Sequence, residues 1–175
     1  MPRHIHFTSW SQDGKWLGAY DYTSTNGTDC YAISIDSNKF ISIASSKANE
    51  SIGRFSPDGR WFAYQSDESG RSEIYIVSFP NLESKRQISE DGGALPLWDR
   101  NVKFNYYISN GFMIAQQVEL TNDFKKGKPN KLFFANALNF DLSPDGQKFY
   151  LIRKNVKRPN PPLYLITNWF QELKT

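Results

Sequence analysis

The sequence predicts an all-β protein, and three observations support this prediction. Aromatic residues make up 15% of the chain, glycine and proline lie in short polar stretches, and one strand–turn–strand pattern recurs. The clearest copy runs from Gly53 to Tyr64. In this copy Pro57 and Gly59 suit the backbone angles of a tight turn, and Asp58 can accept hydrogen bonds from nearby N–H groups. The apolar segment that follows has the composition of a buried strand.

The pattern repeats with a period of about 44 residues. Its equivalent positions Ser11, Ser56, Asp99 and Ser143 are separated by 45, 43 and 44 residues. A steady period of about 40–45 residues built from short strands is typical of β-propeller blades. We therefore predict a single domain over residues 1–175, a β-propeller or partial propeller of four antiparallel, four-stranded blades. The predicted blades cover residues 5–43, 51–88, 95–133 and 138–175.

The first two blades follow this plan closely. The predicted strands of blade 1 are 5–10, 16–20, 30–35 and 40–43, and those of blade 2 are 52–55, 61–65, 73–79 and 86–88. Asn26-Gly27 is a strong hairpin signal in blade 1. The run Ile74–Val77 in blade 2 is entirely apolar, as expected for a strand that neighbouring blades cover on both faces.

The last two blades depart from the plan at their outer edges. The predicted strands of blade 3 are 95–98, 104–108, 112–118 and 131–133, and those of blade 4 are 138–142, 149–153 and 163–167. The polar segment 122–129 is predicted to be an exposed loop. Asn168 can cap a short C-terminal helix, with Gln171 three residues further on. No fourth strand is visible in blade 4, so its edge needs another cover.

An incomplete ring would leave apolar faces on its two terminal blades. Such faces and free strand edges favour association. The sequence thus predicts a homodimer in which two chains meet about a two-fold axis and approximate an eight-bladed ring. The alternatives are a closed four-bladed ring and a partial cover by the segment around Trp169-Phe170.

The repeat resembles the WD40-like (PD40) repeats of TolB-type propeller proteins. The resemblance is carried by Phe55–Tyr64, Ser66–Arg71 and Ile74-Tyr75, and it extends over essentially the whole chain. Complete rings of that type have six or more blades. The resemblance therefore implies that the chain is a fragment of a longer protein or a shortened relative.

The end of the chain resembles the C-terminal propeller region of certain bacterial serine/threonine protein kinases. This similarity rests on Ser143–Gly146, Pro161-Pro162 and Asn168–Lys174. The sequence contains no glycine-rich loop, His-Arg-Asp loop or Asp-Phe-Gly motif, so kinase activity is not implied.

The resemblance implies a non-catalytic module for protein–protein interaction or ligand sensing, with no cofactor. The alternative is the severed C-terminal sensor domain of a receptor-like kinase or a peptidase, without catalytic residues of its own. A third hypothesis is a propeller enzyme with its own site. The open reading frame upstream in the genome would distinguish these hypotheses.

Few residues suggest catalysis or metal binding. Ser and Asp recur together in three of the four turns, which favours a structural role over chemistry done once. His4 and His6 would share one face of a strand and could hold a metal, but no third ligand is near in sequence. Four of the five tryptophans fall at or near equivalent repeat positions, which favours packing between blades over a ligand platform.

The sequence offers four candidate partner-binding residues, which lie in two polar connections of blade 2: Asp67, Glu68, Arg71 and Asp91. A protein or peptide partner is expected. The net charge is only +3 and its basic residues are scattered, so no nucleic-acid partner is expected. The densest basic group, Arg153–Arg158, is predicted to be a solvated loop.

Cys30 is the only cysteine and is predicted to be a small buried hydrophobe. No signal peptide or membrane-spanning segment is visible, which predicts a cytoplasmic chain as written and no membrane insertion. A periplasmic or other extracytoplasmic location is expected if the chain belongs to a longer receptor-like protein.

Overall fold

The computed structural model describes residues 4–23, 27–121, 124–153 and 163–167. In this part of the chain 15 β-strands form four separate antiparallel sheets, here called blades 1 to 4. The predicted all-β propeller of four blades is confirmed. The strands of each blade are hydrogen-bonded in chain order, so each blade is a simple meander.

The strands have the following bounds. Blade 1 contains β1 (Ile5–Trp10), β2 (Trp16–Thr23), β3 (Gly27–Ser34) and β4 (Phe40–Ala44). Blade 2 contains β5 (Glu50–Phe55), β6 (Trp61–Ser66), β7 (Glu73–Ser78) and β8 (Lys85–Gln87). Blade 3 contains β9 (Ala94–Trp98), β10 (Phe104–Ser109), β11 (Phe112–Glu119) and β12 (Lys125–Phe134). Blade 4 contains β13 (Ala137–Leu142), β14 (Lys148–Arg153) and β15 (Leu163–Thr167).

The recurring turn joins the first two strands of each blade. In blade 2 the Ser56 hydroxyl donates to Asp58 Oδ1 at 2.6 Å and accepts from the Trp61 N–H at 3.0 Å. The Gly59 N–H donates to the Ser56 carbonyl, with a φ of 70° at Gly59 that suits glycine. Blades 1 and 4 contain the same bonds. In blade 3 the Asp99 carboxylate accepts from the N–H groups of Asn101, Lys103 and Phe104, so the altered sequence keeps the turn.

The hydrophobic core lies between blades, in three clusters. The first joins blades 1 and 2, the second blades 2 and 3, and the third blades 3 and 4. Each cluster combines the face of one sheet with the opposing face of the next. Among the described residues no such cluster joins blade 4 to blade 1.

The first strands of the blades lie side by side at the inner edge of this arrangement. The Thr8 hydroxyl on β1 donates to the Gly53 carbonyl on β5 at 2.7 Å. The Trp98 indole N–H on β9 donates to the Arg54 carbonyl on β5 at 3.0 Å. These bonds fix the inner strands of successive blades relative to one another.

The prediction of an exposed loop at 122–129 was wrong for most of that segment. Strand β12 begins at Lys125 and pairs with β11 through Pro129 and beyond, with register shifts. It is the outer strand of its blade, and most of its side chains are exposed. A polar, proline-containing sequence is tolerated there because an edge strand needs only one row of hydrogen bonds. The predicted helix after Asn168 lies outside the described residues.

Candidate functional site

The inner ends of the first strands surround a cavity of about 270 Å³. We call it the axial cavity because all four blades line it, each through its first strand or the turn that follows. Its lining includes Ser9, Trp10, Arg54, Phe55, Leu97, Trp98, Arg100, Asp141 and Leu142.

Arg54 is the distinctive group in the axial cavity. Its side chain is half-buried, and its Nε atom is buried without a hydrogen-bond partner. An unpaired buried N–H group is costly. Arg54 also lines the cavity and gives it a cation of the kind that pairs with carboxylates. Arg100, which lies in the turn after β9, adds a second, exposed cation to the lining.

Aromatic surface lies next to these cations. Trp98 is buried and anchored through its indole bond to the Arg54 carbonyl, whereas Trp10 is 64% exposed. The sequence-based assignment of the repeat tryptophans to the core was therefore wrong for Trp10. Trp169 lies outside the described residues.

Sequence reasoning missed this cavity, although the repeat contained a signal. Ser9, Arg54, Leu97 and Asp141 occupy the same position of the repeat, two residues before the start of the turn, and all four line the cavity. At this position the four blades present a hydroxyl, a cation, an apolar group and an anion. A position whose structure repeats while its chemistry varies is a candidate for function.

The four predicted partner-binding residues lie at the opposite end of the blades, where β6 joins β7 and β8 joins β9. Asp67 accepts hydrogen bonds from the N–H and the side-chain amide of Asn49, both at 2.7 Å. These bonds lower the pKa of Asp67. Glu68 pairs with Lys85 at 2.5 Å, across the outer part of blade 2.

Arg71 and Asp91 belong to one polar network. Arg71 Nε donates to the buried carboxylate of Glu73 at 2.6 Å, and its terminal nitrogen donates to the Glu90 carbonyl. Glu73 also accepts from the Ser89 hydroxyl and from the Gly92 N–H. The Asp91 carboxylate lies 3.9 Å from Arg71, and the side chain is 90% exposed. The structure thus places Arg71 and Asp91 together, while Asp67 and Glu68 make separate contacts.

A second cavity, of about 250 Å³, lies beside Asp91 at this end. Its lining includes Glu90, Asn110, Phe112 and Lys131. Its charged groups have partners within the chain: Glu90 pairs with Lys126 at 2.7 Å, and Lys131 Nζ lies 3.5 Å from the Phe112 ring centre.

The remaining candidates have local contacts. His6 stacks on Tyr20 with ring centres 5.0 Å apart. Cys30 is fully buried in the cluster between blades 1 and 2, and burial raises the pKa of its thiol well above the usual range. The described residues include no group of three or more His, Cys, Asp or Glu side chains placed to hold a metal ion. Arg153 donates to the Phe134 carbonyl at 3.0 Å, and residues 154–158 lie outside the described part.

Solved structures of similar fold identify the architecture as a TolB-like β-propeller. TolB from Acinetobacter baumannii is 20% identical with a TM-score of 0.71, over 91% of this chain and 39% of that chain. An oligogalacturonate lyase in complex with manganese is 9% identical with a TM-score of 0.70, over 97% and 51%. A puromycin hydrolase is 13% identical with a TM-score of 0.65, over 94% and 27%. No family model and no curated relative matches the sequence.

These comparisons contradict the expectation that the chain is not an enzyme. A lyase and a hydrolase contain the same fold, so propeller architecture gives no argument against catalysis. The expectation rested on the family resemblance and on the repetition of Ser and Asp in the turns, and neither excludes another catalytic arrangement. The resemblance to kinase-associated propellers stays a prediction.

The chain spans between 27% and 51% of the length of the three proteins described above. In the described part of this chain, no helix is long and apolar enough to cross a membrane.

Proposed function

We propose that this propeller is a protein-interaction module whose partner inserts an acidic segment into the axial cavity. The observation that carries the proposal is the buried, unpaired Nε of Arg54 in a cavity lined by all four blades. A partner carboxylate in the cavity would pair with the Arg54 guanidinium. The axial cavity, to which all four blades contribute, is the location that we propose for the partner.

The neighbouring groups favour a peptide segment over a free ion. Trp10, which is 64% exposed, offers aromatic surface to an apolar side chain beside the carboxylate. Asp141 lines the same cavity and would favour a segment that also contains a positive charge or an N–H donor. The cavity suits one or two side chains, while the rest of the segment would lie across the surrounding turns.

The opposite end of the blades is a weaker location for the partner. Asp67, Glu68 and Arg71 already bind groups within the chain, so a partner would have to displace those bonds. Asp91 is the most accessible of the four, and we retain it as a possible secondary contact. The cytoplasmic location expected from the sequence, or a periplasmic one within a longer protein, likewise stays a prediction.

The proposal is tested with a synthetic glutamate- and tyrosine-containing peptide and a matched peptide in which glutamine replaces glutamate. Binding is followed by tryptophan fluorescence, because Trp10 and Trp98 line the cavity. We expect the acidic peptide to bind more tightly, and Arg54→Gln to weaken binding at least ten-fold. Arg86→Gln is the control, since this arginine lies on the exposed outer strand β8.

Equal binding of the two peptides, or equal weakening by the two arginine variants, would place any interaction outside the axial cavity. Loss of binding with Asp91→Ala but not with Arg54→Gln would instead assign the partner site to the opposite end.

A further inference from the structure

The exposed large apolar side chains are concentrated in the terminal blades. Among the described residues they are Ile5, Phe7, Trp10, Tyr22, Ile35 and Phe40 in blade 1, Phe134 in blade 3, and Leu138, Tyr150 and Ile152 in blade 4. The described part of blade 2 contributes none. Blade 3 contributes one, at the end of its outer strand.

One set of these side chains occupies the position that a preceding blade covers. Trp10 is equivalent in the repeat to Phe55 and Trp98, which are buried against the blade before them. The cross-strand partners Trp10, Leu17, Ile33 and Phe40 form an apolar row across all four strands of blade 1. Directly paired residues share a face, so this row forms one open surface. We call it the leading face.

The other set occupies the position that a following blade covers. Tyr150 is equivalent to Ala63 and Tyr106, which pack against the blade after them. Tyr106 is 1% exposed, whereas Tyr150 is 37% exposed. Ile152, two residues further on, lies on the same face of β14 and is also exposed. We call this surface of blade 4 the trailing face.

The leading and trailing faces are the two halves of one kind of joint. Between blades 2 and 3 a trailing face meets a leading face and forms a buried cluster that contains Trp61, Ile76 and Trp98. We infer that a second copy of this chain covers both open faces, with blade 4 of each copy packed against blade 1 of the other. A two-fold axis then gives two identical joints and leaves neither face exposed.

A second copy of this chain carries one leading face and one trailing face. It therefore supplies a partner for each of the two open faces of the first copy. Eight blades also lie within the range of about four to eight that propellers contain. The joint would extend the axial cavity, because Trp10 and Asp141 lie at the inner ends of the strands that would meet. The inference rests on the open faces and does not depend on the ligand of that cavity.

The mass of the 175-residue protein in solution tests the inference. We expect light scattering at micromolar concentration to give twice the chain mass of 20.2 kDa. Phe40→Asp on the leading face and Ile152→Asp on the trailing face should each halve this mass, with unchanged far-UV circular dichroism. Phe134→Asp is the matched control: Phe134 is 57% exposed, close to the 61% of Phe40, but it lies on neither face.

Mixing the two variants tests the polarity of the joint. Phe40→Asp keeps an intact trailing face and Ile152→Asp keeps an intact leading face, so the mixture should form a heterodimer through one joint. Phe7 also lies on the leading face, because it pairs with Ala19, two residues from Leu17 on β2. If either variant fails to fold, Phe7→Asp or Tyr150→Asp takes its place.

A wild-type monomer would overturn the inference and leave further blades of a longer protein as the cover. A dimer that only Phe40→Asp disrupts would also overturn it, because blade 1 would then meet blade 1. If the wild type is a monomer and binds the acidic peptide, the inferred dimer is wrong and the proposed function stands.

Discussion

Trp98 and Trp10 occupy the same position of the repeat in different surroundings. Trp98 is 5% exposed and donates a hydrogen bond to the preceding blade, whereas Trp10 is 64% exposed. The strands that hold them are both inner strands. The difference therefore comes from the neighbouring blade: blade 2 covers Trp98, whereas no blade in the described part of the chain covers Trp10.

This comparison shows where the stability of the fold originates. Each blade is a single sheet, and its apolar faces become core only when another blade covers them. Stability in such arrays is approximately a sum of repeat terms and nearest-neighbour interface terms. The middle blades have two interfaces each, and the terminal blades have one each within the described part of the chain.

The largest expected effect comes from truncating the two tryptophans. Trp98→Ala should lower the free energy of unfolding by about 3–5 kcal/mol, because it empties a buried site between blades 2 and 3. Trp10→Ala should lower it by less than about 0.5 kcal/mol. Urea unfolding followed by circular dichroism measures both.

These measurements should be made at protein concentrations low enough to dissociate a dimer. Similar losses for the two variants would contradict the comparison. A loss for Trp10→Ala that increases with protein concentration would indicate that a second copy covers this side chain.

The sequence predicted the middle blades better than the terminal ones. In blade 2 the turn residues and the apolar run Ile74–Val77 favour the same strands that packing between blades requires, so local and tertiary preferences coincide. The sequence could not distinguish Trp10 from Trp98, because burial depends on a blade that the repeat pattern itself does not supply. The first part of strand β12, before the predicted strand 131–133, was missed for a related reason: an outer edge needs no apolar pattern.

The second effect concerns the buried polar network at the junction of blades 2 and 3. Glu73→Ala should cost about 2–3 kcal/mol, because the Ser89 hydroxyl and the Gly92 N–H lose their acceptor. The exposed Glu119 at the end of β11 is the control, and Glu119→Ala should change stability by less than about 0.5 kcal/mol. Thermal unfolding of both variants would reveal the difference, and equal midpoints would show that Glu73 is dispensable.

The third effect tests the recurring turn. Asp58→Ala should cost about 1–2 kcal/mol, since Ser56 and the Arg60 N–H lose their acceptor. Burial acts to raise the pKa of Asp58, but hydrogen bonds from Ser56 and Arg60 outweigh it and hold the pKa below 3.8. A urea midpoint unchanged in this variant would contradict a structural role for the turn.

The lowered pKa also fixes the direction of the pH dependence. A carboxyl group whose pKa is lower in the folded state than in the unfolded state stabilises the protein at any pH above its unfolded-state pKa. This stabilisation is lost as the pH falls through its folded-state pKa. The pKa values of Asp13 and Asp145 are lowered in the same direction by hydrogen bonds from Ser11 and Ser143. The wild type should therefore lose stability below about pH 4 more steeply than a variant with Asn at all three positions. Urea midpoints measured from neutral pH downwards provide the test, and parallel curves would argue against these bonds.

The candidate site was predicted less well than the fold. Asp67, Glu68, Arg71 and Asp91 were chosen because polar hairpin residues are available to a partner. The sequence alone could not show that Asn49, Lys85 and Glu73 engage three of them. Arg54 was missed because it lies within a strand, where its unpaired Nε becomes evident only when the neighbouring blades are in place.

The smallest effects separate structural from partner-binding roles among these residues. Asp67→Ala should cost about 1 kcal/mol, because Asn49 loses two acceptor contacts that join blade 2 to the segment before it. Asp91→Ala should cost less than about 0.5 kcal/mol, since its carboxylate makes only one long contact at an exposed position. Chemical denaturation resolves this difference when both variants are measured beside the wild type. If Asp91→Ala is as destabilising as Asp67→Ala, then Asp91 is also a structural residue. If it is neutral, any binding defect that it causes reports on contact with a partner, because the fold has not changed.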